Sequence, residues 1–354
     1  MNHQLTITHY LKKIAFLIIG TVIFFGLSLS NPAQAQEQIE LSIFGPALPQ
    51  DLFLEEPASP ELIDLGRMLY YEKRLSKNQD ISCNSCHQLK NYGVDNKAVS
   101  PGHKGQLGNR NSPSVYHAAG HIAQFWDGRA ADVEEQALGP ILNPAEMAMP
   151  SEAKVLEVLN SIPEYVTAFK QAFPEESEPV TYPNVGKAIG AFERELITPA
   201  PFDAYYLGNK SALSKAETRG LKLFTNAGCI ACHNGTYIGG QIYQQLGLVE
   251  PWPNQKDLGR YEITGDELDK MVFKVPSLRN VAETAPYFHD GSVKTLKKAV
   301  ALMGKYQLGL ELTRKEIKDI VAFLGSLTGE IPSEYIQKPQ LPVSTLLTPL
   351  PDNS

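Results

Sequence analysis

The stretch "ISCNSCHQLK" (81–90) places Cys83, Cys86 and His87 within five positions, and "GCIACHNG" (228–235) sets Cys229, Cys232 and His233 in the same pattern. The chain holds four cysteines, so both CxxCH units together consume all of them. A zinc site needs four ligands around one ion, and pooled thiolates would leave the two adjacent histidines without a reason. A thioredoxin-type redox pair needs a βαβ setting that is missing here. Covalent haem attachment accounts for every residue. Two thioethers tether the porphyrin, and the following histidine reaches the iron from one side.

The compartment reading agrees. Lys12 and Lys13 precede the apolar run "IAFLIIGTVIFFGLSL" (14–29), and "NPAQAQ" (31–36) places Ala33 and Ala35 in an A-x-A pattern. A basic start, an apolar middle and small residues at the exit predict a signal peptide over residues 1–35, cleaved before Gln36. An uncleaved N-terminal anchor is the minority alternative, because the run is slightly short of the ~20 residues of a spanning helix. Free vicinal thiols would oxidise in an exported protein, so the cysteines need another fate. The formal charge is -7, and -9 once the two leader lysines are gone. That balance argues against nucleic acid and anionic membrane as partners.

The periodicity is mostly helical. "SPELIDLGRMLYYEKRL" begins with Ser59 as N-cap and Pro60 at the first helical position, with Leu62, Leu65 and Leu69 on one face. "NVGKAIGAFEREL" repeats the pattern with Val185, Ile189, Phe192 and Leu196. Capping boxes pair Ser214 with Glu217 and Thr313 with Glu316, and Gly329 is the expected stop of the last helix. "LGRMLYYEKR" before the first CxxCH echoes "RGLKLFTNAG" before the second, which suggests duplication. The length fits two domains of ~150 residues. The expected fold is mainly α, with two cytochrome c-like helical domains, each carrying one covalent haem. They are expected over 36–200 and 201–340, with a tail over 341–354, and "ITPAPFDAYYLGN" (197–209) lies at the junction.

Function then turns on what each iron meets on its far side. In the first half, His103 lies in "SPGHKGQLG" (100–108), a glycine-rich segment unsuited to regular helix, and His117 and His121 stand at helical spacing. On pattern alone these read as loop, surface or hydrogen-bonded histidines. In the second half the choices are Met271, Met303 and His289, and Met303 extends the apolar face of "TLKKAVALMG", where a core role is the ordinary one.

The chain resembles the bacterial dihaem cytochrome c peroxidases over nearly all of the sequence after the leader. Besides both CxxCH units it carries "RNSPSV", "IAQFWDGRA", "QALGPI", "TAPYFHDG" and "ALMGKYQLG" in family order. The resemblance implies that His103 is the detachable ligand of a low-potential peroxidatic haem and Met303 the ligand of a high-potential, electron-accepting one. It further implies that Glu146, in "NPAEMAMP", is the acid–base residue, that Gln136 lies near the peroxide pocket, and that Trp126 lies between the haems. Asn111, Thr284 and Pro286 match residues that hold an interdomain calcium, the last two through backbone carbonyls. Beside these roles stand plainer ones: Asn111 capping a turn before Pro113, Trp126 as core, Asp127 with Arg129 as a local ion pair, and His289 as a hydrogen-bonding neighbour. The implied reaction is reduction of hydrogen peroxide to water with electrons from a small cytochrome c or cupredoxin, in a periplasmic homodimer. A dihaem electron carrier without catalysis is one alternative. A cofactor-maturation enzyme is another, and Met303 speaks against it, because that relative has tyrosine at the corresponding iron.

Overall fold

The computed structural model describes residues 41–53 and 57–354; the leader lies outside them. The described residues form one compact unit. Its longer helices are α1 (Pro60–Tyr70), α2 (Val133–Leu142), α3 (Glu152–Asn160), α4 (Pro163–Ala172), α5 (Tyr182–Glu193), α6 (Pro201–Tyr206), α7 (Lys215–Asn226), α8 (Leu296–Leu302) and α9 (Arg314–Gly325). Two short strands, β1 (Tyr243–Gln245) and β2 (Val272–Lys274), pair antiparallel with Tyr243 opposite Lys274. The mainly helical architecture expected from the sequence is the one observed.

Local chemistry starts the helices where the sequence places it. Ser59 Oγ accepts the Leu62 amide at 3.2 Å and opens α1. Ser214 and Glu217 cap each other at the start of α7, as do Thr313 and Glu316 at the start of α9. The end of α9 differs from expectation. It stops at Gly325 with Ser326 as cap, not at Gly329. Gly329 instead lets two chain segments touch: a Cβ there would sit 2.1 Å from the Thr198 carbonyl oxygen.

Two apolar clusters organise the packing. The first buries Leu65, Leu69, Tyr70, Ile141, Phe169 and Phe192; the second buries Phe202, Phe224, Ile320, Phe323 and Leu327. The junction segment is ordered, since α6 sends Phe202 and Tyr205 into the second cluster. The first and last described segments cross over. Leu41 and Phe44 join the second cluster, while Ile336 joins the first, where Tyr71 Oη donates to its carbonyl at 2.6 Å.

One device recurs in both halves. At Gly66, where α1 crosses α5, an added Cβ would lie 1.8 Å from the Ala188 carbonyl oxygen and 2.9 Å from Phe192 Cβ. At Gly220, where α7 crosses α9, the corresponding distances are 1.9 Å to Asp319 O and 2.8 Å to Phe323 Cβ. The sequence echo is therefore a repeated helix crossing, with glycine demanded by backbone contact in each. Each crossing directs its helix toward a CxxCH unit.

Candidate haem sites

After α1 the chain makes one helical turn over Cys83–Cys86, which ends at His87. Tyr70 Oη donates to the His87 carbonyl at 2.7 Å and ties that turn to the end of α1. Both cysteines are free, as are Cys229 and Cys232 in the second unit. Burial raises the pKa of all four thiols, to about 11 at Cys229. Paired thiols directly before a histidine suit thioether attachment of a haem.

The histidines are set for iron. His87 Nδ1 lies 2.9 Å from the Pro113 carbonyl, an acceptor, so this nitrogen carries the proton and Nε2 keeps a free lone pair. Desolvation lowers its pKa, opposed by that hydrogen bond. His233, in the second unit, is pushed down to about 4 by burial. Its ring lies beside the Pro276 and Ile238 carbonyls, although Nδ1 is not in bonding geometry with a protein acceptor. Neutral imidazoles next to paired thiols fit a covalent haem in each half.

A cavity of about 280 Å³ joins the second unit to its surroundings. Cys229, Cys232, His233 and Met303 share its wall with the apolar side chains of Phe224, Leu296, Val300 and Leu324. Met303 follows α8 directly and begins a π-helical turn, Met303–Gln307, a geometry common at functional sites. Thr284, Pro286, Asn111 and Trp126 line the same space.

In the first half, His103 is buried at 6% exposure, so it is not an exposed loop histidine. Its amide donates to the Glu146 carbonyl at 2.7 Å, and Gly102 lets the segments meet, since a Cβ there would be 2.0 Å from Ala145 O. The Glu146 carboxylate accepts from Asn143 Nδ2 at 2.9 Å. Burial raises its pKa, opposed by Arg129 and that hydrogen bond. The charges of Asp95 and Glu146 add to burial in raising the Cys86 thiol, which locates Glu146 near the first CxxCH. Gln136 stands in the second turn of α2, half-buried, and no hydrogen bond joins its side chain to Glu146.

Trp126 Nε1 donates to the Asn111 carbonyl at 2.9 Å, and its ring meets His289 edge-on at 6.5 Å. His289 is buried and stacks on Phe273 at 4.4 Å. Asn111 does not cap a turn. Its Nδ2 donates to the Lys97 and Ala98 carbonyls, at 2.8 and 3.3 Å, which leaves Oδ1 as the available acceptor. Asn96 Nδ2 donates to the Glu283 and Ala285 carbonyls on either side of Thr284.

The His117 and His121 spacing is not helical. His117 has a left-handed backbone and caps a three-residue 3-10 turn, Ala118–Gly120, while His121 is extended. His117 is fully buried, 2.8 Å from Thr198 Oγ1, so it is a hydrogen-bonded core histidine and not a surface one.

Sequence reasoning passed over Arg110. It forms a bidentate pair with Asp257, at 2.6 and 2.7 Å, and also bonds Asp127, which pairs with Arg129 at 3.0 Å. The local Asp127–Arg129 pair is thus part of a larger network. Its signal was the Arg immediately before Asn111, and only folding brings Asp257 to it.

The profile described as di-haem cytochrome c peroxidase matches residues 60–211, and that of cytochrome c matches residues 217–328. The chain is 47% identical to the cytochrome c551 peroxidase of Pseudomonas aeruginosa, over 84% of this chain and 86% of that one. It is 46% identical to the cytochrome c551 peroxidase of Nitrosomonas europaea, over 83% and 87% respectively. Among solved structures, a MauG-like protein associated with microbial copper homeostasis is 32% identical, with a TM-score of 0.73, over 84% of this chain and 97% of that one. With its two CxxCH units each set on a repeated helix crossing, the chain belongs to the di-haem cytochrome c peroxidase family.

Proposed function

We propose that this dihaem peroxidase divides its reaction between its halves, with residues 201–340 receiving electrons and residues 36–200 reducing hydrogen peroxide. The observation that carries the reading is the contrast between the two candidate far-side ligands. Met303 shares one cavity with His233, whereas His103 sits on an irregular segment docked to the backbone of Glu146. Haem, when bound, would store single electrons and supply the iron on which peroxide is reduced.

The chain's own residues supply the rest. His87 and His233 would each hold a haem iron, with Met303 as the second protein ligand in the His233 half and His103 as a displaceable one in the His87 half, where substrate would enter. The Glu146 carboxylate would take a proton from one peroxide oxygen and return it to the other, so that the group released on O–O cleavage leaves as water. Its desolvation, which favours proton uptake, supports that role. Gln136 orients the substrate. Two protons and two electrons convert one peroxide to two waters.

Trp126 is read as an element between the halves, and its bonds to Asn111 and Lys274 support that reading. Calcium belongs to the same reading. It would take Asn111 Oδ1 and the Thr284 and Pro286 carbonyls, with water completing the shell that this hard cation prefers. The electron donor is a small cytochrome c or a cupredoxin. The protein acts in the periplasm, as a homodimer, after loss of the leader; among the described residues no helix is long and apolar enough to cross a membrane.

A redox titration with spin-state readout tests this reading. Two separated potentials are expected, and a high-spin iron on the His87 side after one electron. Peroxide consumption with a reduced donor should accompany it. Six-coordinate centres that persist after half-reduction and ignore peroxide would favour the plain electron carrier. Met303→His should lower the second potential, and an unchanged titration would remove Met303 as a ligand.

A further inference from the structure

The cavity beside His233 has a one-sided charge. Its wall includes Lys274, Arg279 and His121 but no aspartate or glutamate, in a chain with 39 acidic residues against 32 lysines and arginines. Arg279 is already matched, with Asp203 at 2.7 and 3.0 Å and the Thr236 carbonyl at 2.8 Å. Lys274 is not. It is 8% exposed, and its ammonium has no carboxylate partner among the described residues.

Among the described residues its ammonium has one hydrogen-bonding neighbour, His121, with Nζ 3.4 Å from Nδ1. An ammonium can only donate, so Nδ1 is the acceptor and the ring proton sits on Nε2. That Nε2 is buried and also lacks a partner. Two donors on one cavity wall are therefore unmatched by any anion among the described residues. The position of Lys274 is fixed rather than incidental: it ends β2, pairs with Tyr243, and donates its amide to the Trp126 carbonyl at 2.8 Å. A buried cation persists where an anion completes it.

We propose that Lys274, supported by His121, binds a carboxylate of the haem attached to Cys229 and Cys232, and thereby raises that haem's potential. The haem is the one expected occupant of this cavity that brings negative charge. Burial lowers the lysine pKa to about 8, which leaves it mainly charged at neutral pH even before the anion is counted. A cation beside the porphyrin edge favours the reduced state, which carries one more electron. The inference rests on covalent haem in the second half and not on the assignment of Met303 or Glu146.

The test compares Lys274→Met with Lys274→Arg as holoproteins. Haem content is measured first, then redox titration and resonance Raman of the haem carboxylate modes. In the Met variant the potential of the second centre should fall by an amount equal to a tenfold change in the one-electron equilibrium, about 59 mV. The carboxylate band should move with it. The Arg variant should stay near the parent value. Unchanged potential and unchanged band, with two haems present, would overturn the pairing. A potential shift without a band change would overturn it too, leaving only a through-space charge effect. Should the Met variant not accumulate, reduced parent protein labelled with ¹⁵N-lysine decides. An exchange-protected Lys274 ammonium close to haem side-chain protons is expected, and its absence refutes the proposal. Absence of the second haem altogether would instead refute the reading on which the inference rests.

Discussion

The two halves share a scaffold and differ in the backbone that carries each proposed far-side ligand. In each, a glycine lets one helix touch the backbone of another, at Gly66 and at Gly220, and a CxxCH unit follows. Beyond that point they diverge. Met303 begins a π-helical turn continuous with α8, so its position is set by a helix. His103 is set by a short irregular segment, held by its own amide bond to Glu146 O and by Gly102 N bonding Gln106 O at 2.8 Å. A residue on a helix is costly to move, because the helix moves with it. A residue on a short loop needs only a few backbone hydrogen bonds exchanged. The difference is what a pair of centres needs if one stores charge and the other opens.

The contrast can be broken in several places. Glu146→Gln should reduce peroxide turnover by roughly 10²–10⁴-fold with both haems retained, since it removes proton transfer without changing shape. Near-normal steady-state turnover would take Glu146 out of the mechanism. His103→Gly should make the first centre high-spin and peroxide-reactive in the fully oxidised protein. An oxidised spectrum identical to the parent would mean that His103 is no ligand and that the halves do not differ as proposed.

The shared scaffold has its own tests. Gly66→Ala and Gly220→Ala should each destabilise by roughly 1–3 kcal/mol, because the added Cβ meets a carbonyl oxygen that cannot step aside. Denaturant unfolding of both holoproteins would check this, and a neutral result at either site would break the equivalence of the crossings. The smallest effect is expected at the caps. Ser214→Ala and Thr313→Ala should each cost about 1 kcal/mol, read as a small shift in the unfolding midpoint.

Much of this was legible before folding. Haem attachment follows from four cysteines and two histidines in fixed register, because covalent tethering is local chemistry. Ser59, Ser214 and Thr313 mark helix starts for the same reason: a cap needs only residues three positions away. The stop of α9 was misplaced because Gly329 answers to Thr198, more than a hundred positions earlier, and not to its own helix. His117 and His121 misled by their spacing, since His117 is itself left-handed and only a three-residue 3-10 turn separates it from the extended His121.

By itself the sequence determined that two haems are bound, that helices carry them, and where the resemblance puts each candidate ligand. Only tertiary structure decided that His103 is buried against Glu146, that Met303 shares a cavity with His233, and that Lys274 faces that cavity without an acid. The reason is distance along the chain. Capping and CxxCH spacing act within a few residues, where order fixes geometry, whereas charge matching and close backbone contact join segments that sequence order leaves apart.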